Sequence, residues 1–484
     1  MPRPDRLPKF LNGWSWLILW GLAVALALAL RPLLAIDETR YLSVAWEMWL
    51  RHDWWVPYLN GSPYPDKPPL LFWGMLLGWR LFGVNQWWPR LLQPIFAVVS
   101  ALLLVRLARK LEPELPDAAD RTLPFLSGLL WVTYSTLLLF DTLLTACVLL
   151  ALLGLVEVWR GGALQGWMAY GAGVGLGVLA KGPVVLVHVL PAAVLAPWWI
   201  PNASERRWSS WYLGLVGALA LGAALGLAWA LTASAHQGGA YRDAILWGQT
   251  AGRVTKSFAH RHPFWWYLLA FPLVLLPWSL WRPWWRSLAG AVRARESVVL
   301  RFALAWVVPG FVILSLISGK QPHYLFPLLP GVALLAAKGV QSDRRQTVIA
   351  LSLVSPLLVI LVETAGKGYL DRSDLRPVSS YLHQAEVAGR PLAFKGQYAG
   401  TFHFLGRLER PIAELSWAQV PQWSREHPTG LLIRSIRSPS DTVGSVFHQP
   451  YRGGSIAVWR VSGIVIPNQN TAGSHPPAPP SPAR

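Results

Sequence analysis

Eleven apolar runs, each near the length that crosses a lipid bilayer, dominate the chain and exclude most folds. A hydrocarbon core about 30 Å thick takes roughly 20 residues of helix. The runs lie near residues 14–34, 88–107, 123–140, 142–159, 166–181, 183–200, 211–232, 264–281, 301–318, 323–339 and 347–364. Lipid offers no partner to backbone N–H and C=O groups, so each run is expected to be helical. With 53% hydrophobic and 14% charged residues, the 484-residue chain is too apolar for an ordinary soluble protein. Its mean hydropathy of +0.36 agrees. The fold class expected is an α-helical polytopic membrane protein with about 11 transmembrane helices.

The formal charge of +19 resembles a nucleic-acid signature, yet most Lys and Arg lie between the apolar runs. There they act as orientation signals and meet anionic membrane lipids. No soluble segment carries a basic helix or an aromatic–basic module, so nucleic acid is not an expected partner. Cys147, the single cysteine, excludes an internal disulfide. The first run is too long for a typical signal-peptide core and reads as a retained helix. With the N-terminus inside, Arg106, Arg109, Lys110, Arg121, Arg160, Arg206 and Arg207 fall on the inner side, as do Arg282, Arg286, Arg293, Arg344 and Arg345. This topology puts Asp37 outside. Two outer loops break the positive-inside tendency: residues 35–89 hold Arg40, Arg51, Lys67 and Arg80, and 233–263 hold Arg242, Arg253, Lys256 and Arg261. An anionic ligand at the outer surface explains that charge; the alternative is that long loops cross regardless of it.

Residues 1–365 are therefore expected to form the membrane domain. Residues 366–465 change character, with strand-like "GLLIRSI" and "SIAVWRV", and are expected to form a small extracytoplasmic α/β domain. The tail 466–484, rich in Pro, Ser and Gly, is expected to be disordered.

Charged residues near the outer ends of apolar runs are the candidate site. In "LAIDETRY", Asp37 can cap a helix that lies in the membrane interface, with Glu38 beside it. In "YPDKPPLLFW", Pro68 and Pro69 open a helix, and Lys67 just before it suits a phosphate. Asp141 in "LLLFDTLLT", Lys181 in "VLAKGPV" and Lys320 in "ISGKQPHYLFP" stand at further outer ends. Ionisable groups are costly there unless they face water, a partner or a site. An Asp141–Lys181 ion pair is the plainer reading. In "AHRHPFWWYL", His260 and His262 could join Asp66 or Glu38 around a divalent ion, although their spacing matches no self-sufficient metal motif.

Taken in order, "DETRY", "YPDKPPLLFW", "RLLQP", the Asp141 run, "LAKGP", "HRHPFWWYL" and "SGKQPHYLFPLLP" resemble the bacterial membrane glycosyltransferases of the GT-C fold. The group includes the lipid A aminoarabinose transferases and relatives of the protein O-mannosyltransferases. The resemblance implies transfer of a sugar, with inversion, from a polyprenyl-phosphate donor to a lipid or glycan acceptor at the outer face of the inner membrane. It implies catalytic roles for Asp37 and Asp141, with Glu38 as a further carboxylate. Donor-phosphate contacts fall to Lys67, Lys181, Lys320, Tyr324 and Arg253, and a metal, if one is used, to Asp66 and His260. Asp66 replaces the usual glutamate and His262 a usual acid, so the sugar and the metal geometry stay open. A protein O-glycosyltransferase is the alternative within the class. A transporter would show paired halves with broken helices, and no such symmetry is visible.

Overall fold

The computed structural model describes residues 14–115, 117–245, 261–293, 297–339, 344–437 and 439–463. They form two compact units. Of the described residues, those within 14–29, Pro65–Gly74 and 87–362 make up the first, and those within Leu30–Tyr64, Met75–Gln86 and 363–463 the second.

The first unit is helical. Each expected apolar run contains helix, but not every run is one continuous α-helix. Among the described residues, five helical segments are long and apolar enough to cross a membrane: Trp87–Leu111, Asp141–Trp159, Trp208–Gln237, Val298–Leu316 and Arg345–Ala365. The expected helix at 123–140 is instead a 3-10 turn over Leu123–Ser127 and a short helix over Leu129–Tyr134. Residues 323–339 likewise divide into a 3-10 segment, Pro322–Leu328, and the helix Leu329–Gly339. Proline lacks the N–H that continues a helix, and Pro124, Pro322 and Pro327 fall at these irregular segments.

The helices Asp141–Trp159 and Ala163–Lys181 are joined by a turn in which Gly161 takes φ +104°. Glycines let their backbones approach. A Cβ on Gly173 would lie 2.6 Å from Ala151 N, and one on Gly154 2.6 Å from Gly166 O. On another face of the second helix, a Cβ on Gly171 would lie 2.7 Å from Ala218 O in the helix Trp208–Gln237. Lipid-embedded helices gain little from hydrophobic exclusion, so such close backbone packing carries their association.

The second unit is built on a five-stranded sheet of order β4-β3-β5-β7-β6. The strands are β3 (Leu392–Lys395), β4 (Ala413–Leu415), β5 (Leu431–Ile436), β6 (Phe447–Tyr451) and β7 (Gly454–Arg460); a small hairpin supplies β1 (Tyr58–Leu59) and β2 (Ser62–Pro63). β3 pairs in parallel with β4 and β5, while β7 runs antiparallel to β5 and β6. Alternation sends Leu392, Leu431, Ile433, Ile456 and Val458 to one core with the helix Arg376–Val387. It sends Ala393, Leu415 and Leu432 to the other, with Trp423 of the helix Val420–Glu426. The strand-like "GLLIRSI" and "SIAVWRV" become β5 and β7. The segment 464–484, with the expected disordered tail, lies outside the described residues.

Residues 30–64 and 75–86, expected to belong with the membrane domain, group by contact with this sheet domain. Ser43 Oγ donates to Gly400 O at 2.6 Å, Trp46 Nε1 donates to Leu408 O at 2.8 Å, and Trp79 stacks on Phe404 at 5.4 Å. Asn60 and Ile412 exchange two bonds: Asn60 Nδ2 donates to Ile412 O at 2.9 Å and Ile412 N to Asn60 Oδ1 at 2.8 Å. Specific polar contacts between distant segments decide this grouping, and hydropathy does not encode them.

Candidate active site

The clearest cluster of ionisable groups lies in the helical unit, where one helix begins and the next ends. Asp141 is the first residue of Asp141–Trp159, and Lys181 is the last of Ala163–Lys181. A helical hairpin brings those two ends together. Lys181 Nζ lies 2.6 Å from Asp141 Oδ1, with both side chains largely enclosed, at 13% and 4% exposure. Asp141 also occupies the positive end of its helix dipole, which favours a carboxylate.

Aromatic and basic groups surround the pair. His323 Nε2 is 3.9 Å from Asp141 Oδ2. The His323 ring lies 5.6 Å from Tyr134 and 4.9 Å from Tyr324, and Lys181 Nζ is 4.7 Å from the centre of the Tyr324 ring. Lys67 Nζ lies 5.7 Å from the ring of Phe140, the residue before Asp141, and its charge reaches Asp141. Two lysines and an imidazole thus act on one carboxylate. Such a set can hold an anionic group whose remainder stays in lipid.

The other lysine is committed differently. Lys320 Nζ donates to His262 O at 3.0 Å and closely to Ile317 O, and its side chain is buried. Loss of hydration lowers its pKa below the usual lysine range. Beside it, Tyr267 donates to Gln321 O at 3.0 Å and His262 stacks on Trp266 at 4.5 Å. Lys320 thus fastens its loop through carbonyls. Arg253 and His260 lie outside the described residues. Among the described residues no three of His, Cys, Asp and Glu gather as a metal site.

Asp37 and Glu38 belong to the sheet-containing unit. Asp37 does not cap its helix: Ile36 occupies the capping position and no side chain makes a capping bond. It is instead the first helical residue, half exposed, with Arg40 Nη2 3.5 Å away. Glu38 is buried; its Oε2 accepts from Leu34 N at 2.8 Å and its Oε1 faces Arg31 at 3.9 Å. Arg31 in turn reaches Glu363 at 3.0 Å. Glu38 is therefore part of a buried ionic network that fastens the helix start.

Sequence reasoning singled out Asp141, Lys181 and Tyr324, and the plain ion-pair reading of the first two holds in the structure. It missed His323, although "KQPHYLFP" places it beside Tyr324. It also missed Gln93 and His188. Gln93 is fully buried and accepts closely from Thr142 Oγ1; His188 is buried within electrostatic reach of Lys181 and Asp141. Nothing in the spacing of either residue marks it.

Residues 66–229 match the family described as dolichyl-phosphate-mannose-protein mannosyltransferase. The chain is 32% identical over 345 residues to an undecaprenyl phosphate-alpha-4-amino-4-deoxy-L-arabinose arabinosyl transferase of Edwardsiella ictaluri, covering 69% of this chain and 60% of that one. A protein of the same description from Pseudomonas aeruginosa is also 32% identical, with 66% and 58% covered. The chain thus spans about three fifths of the length of the curated relatives it matches. Its fold superposes on ArnT from Cupriavidus metallidurans, with TM-scores of 0.74 for the apo structure and 0.71 for the structure bound to undecaprenyl phosphate. Each comparison covers 92% of this chain and 98% of the other, at 16% and 17% identity. In sequence the chain is thus similar to the bacterial aminoarabinose transferases and, over residues 66–229, to the protein mannosyltransferase family, and it shares the fold of the Cupriavidus metallidurans transferase named above.

Proposed function

We propose that this protein is an integral-membrane glycosyltransferase that moves a sugar from a polyprenyl-phosphate donor to a lipid A-like or other envelope acceptor at the outer face of the inner membrane. The observation that carries the reading is the enclosed Asp141–Lys181 pair with His323 beside it. A lipid-linked phosphate presents its charge at the membrane boundary while its tail remains in the bilayer, and such a donor calls for cations at that depth.

In the proposed reaction the acceptor oxygen attacks the anomeric carbon from the face opposite the phosphate. The bond between that carbon and the phosphate oxygen breaks, its electron pair leaves with the polyprenyl phosphate, and configuration inverts. The leaving group already carries charge, so it needs cations more than a general acid. Lys181 and Lys67 supply them, with His323 as an added donor. Asp141 holds Lys181 in place and opposes positive charge at the anomeric carbon. The Asp37 carboxylate takes the proton of an acceptor hydroxyl, or orients an acceptor that is already ionised. Arg253 is proposed as a further phosphate ligand, and Asp66 with His260 as holders of a divalent ion if one takes part.

Mass spectrometry of envelope lipids, glycans and proteins from cells with and without the gene tests this reading. A sugar lost from an envelope lipid or glycan supports it. A protein acceptor is the second reading, favoured by the mannosyltransferase family match at residues 66–229; a sugar lost only from proteins would select it. No change in any of these fractions would contradict both.

A further inference from the structure

We propose that the sheet domain carries a second anion site, for a phosphate-bearing glycan headgroup, formed by Lys395, Arg434 and Trp417. Lys395 ends β3, Arg434 lies on β5, and Trp417 follows β4. Lys395 Nζ is 5.6 Å and Arg434 Cζ 5.0 Å from the centre of the Trp417 indole ring. The parallel register pairs Ala393 with Leu432 and Phe394 with Ile433. Continued by one residue, it puts Lys395 beside Arg434 on the same face.

Among the described residues, neither cation has a carboxylate partner or a hydrogen bond, and the indole N–H meets no protein acceptor. Glu414, the nearest acid in the sheet register, pairs with Phe394, so alternation turns it to the opposite face, where it receives Asn60 Nδ2 at 3.4 Å. Three kinds of donor and no acid therefore converge on one ring. Two like charges held together without compensation favour an incoming anion, and a phosphate oxygen accepts from all three donor types.

Topology adds an independent reason. From β3 the chain passes to β4 on one side, then crosses to β5 on the other. Open parallel sheets bind ligands outside the carboxyl ends of their strands at such a switch point. Lys395 stands at the carboxyl end of one switch-point strand, and Arg434 lies in the carboxyl half of the other. Beside Lys395, Gly396 has φ +99° and a Cβ there would meet nothing within 4 Å, so the position is open. The glycan part of the assignment rests on the proposed transfer to an envelope acceptor; the phosphate part rests on these donors alone.

The test is titration of the full-length protein, in nanodiscs of zwitterionic lipid and without donor, with α-D-glucosamine 1-phosphate, read by saturation-transfer NMR. Binding of the sugar phosphate, with much weaker binding of glucosamine, is expected. The Lys395→Gln/Arg434→Gln variant should bind at least tenfold more weakly at an unchanged unfolding temperature, and Lys395→Arg should retain most of the affinity. Equal binding by the double variant, equal binding of glucosamine, or no binding by the wild type would overturn the proposal. Competition by vesicles containing phosphatidic acid together with indifference to the sugar phosphate would overturn the glycan assignment. Since donor is absent, a chain devoid of transferase activity would still show this binding.

Discussion

Lys181 Nζ lies 2.6 Å from Asp141 Oδ1 although the two residues are 40 apart in the chain. The meeting follows from a helical hairpin with a three-residue turn, Arg160–Gly162, which returns the second helix to the start of the first. Removing Lys181 alone strands an enclosed carboxylate, a change that costs about 3–5 kcal/mol. Lys181→Met should therefore lower the thermal unfolding temperature of the protein in nanodiscs, and a second change, Asp141→Asn, should restore most of it. Full stability of the single variant would show that the pair is hydrated in solution.

The hairpin's glycines set that distance. At Gly173 a Cβ would come within 2.6 Å of Ala151 N and 2.8 Å of Cys147 O, both backbone atoms that move only with the helix. Gly173→Ala should destabilise by about 1–3 kcal/mol and weaken donor use, because Lys181 rides on the displaced helix. Thermal unfolding and the KM for the donor check this together; an unchanged KM would uncouple helix spacing from the site.

Glu38, expected to serve catalysis, also makes contacts that hold the helix start. Glu38→Ala removes the acceptor of Leu34 N and the partner of Arg31, at about 1–3 kcal/mol for the groups left unpaired. Glu38→Gln should keep the turn and turn over near the wild-type rate per folded molecule. A stable Glu38→Gln protein without turnover would return Glu38 to the chemistry.

Acid should loosen the sheet domain through His403. Burial pushes its imidazole down to about 4 from an ordinary 6.5, and its Nδ1 lies 2.9 Å from Tyr398 Oη. The unfolded chain binds this proton first, so stability contributed by the neutral ring is present above pH 6.5 and is lost as pH falls toward 4. The full effect is on the order of 3 kcal/mol. Glu47 acts in the opposite sense: burial raises its pKa, so the folded state holds that proton to higher pH than the unfolded chain does. Comparing unfolding temperatures of wild type and His403→Gln between pH 7 and 4 isolates the histidine. Parallel curves would show that His403 does not carry the acid response.

The fold class was legible because lipid imposes one rule, internal hydrogen bonding over about 20 apolar residues, on every run. Hydropathy could not show where a run breaks, as at Gly128 and beside Pro327, because proline and glycine change backbone geometry without changing polarity much. β5 and β7 were legible from their apolar content and flanking turns. The attachment of residues 30–64 to the sheet domain was not, since it depends on pairs such as Ser43 with Gly400 and Asn60 with Ile412 that no local pattern signals. Asp141 and Lys181 stood out because charge at the end of an apolar run is costly. His323 and His188 escaped notice because an uncharged ring in such a run carries no comparable signal.

The proposed reaction is sugar transfer from a polyprenyl phosphate. It is tested most directly by incubating the purified protein with a polyprenyl-phosphate-linked sugar and an envelope lipid acceptor, and following both the released polyprenyl phosphate and the product anomer. Release matched by an inverted product is expected, with Asp37→Asn slower by roughly 100-fold or more if the acceptor is a hydroxyl. No release by the folded wild-type protein, or a product of retained configuration, would contradict it.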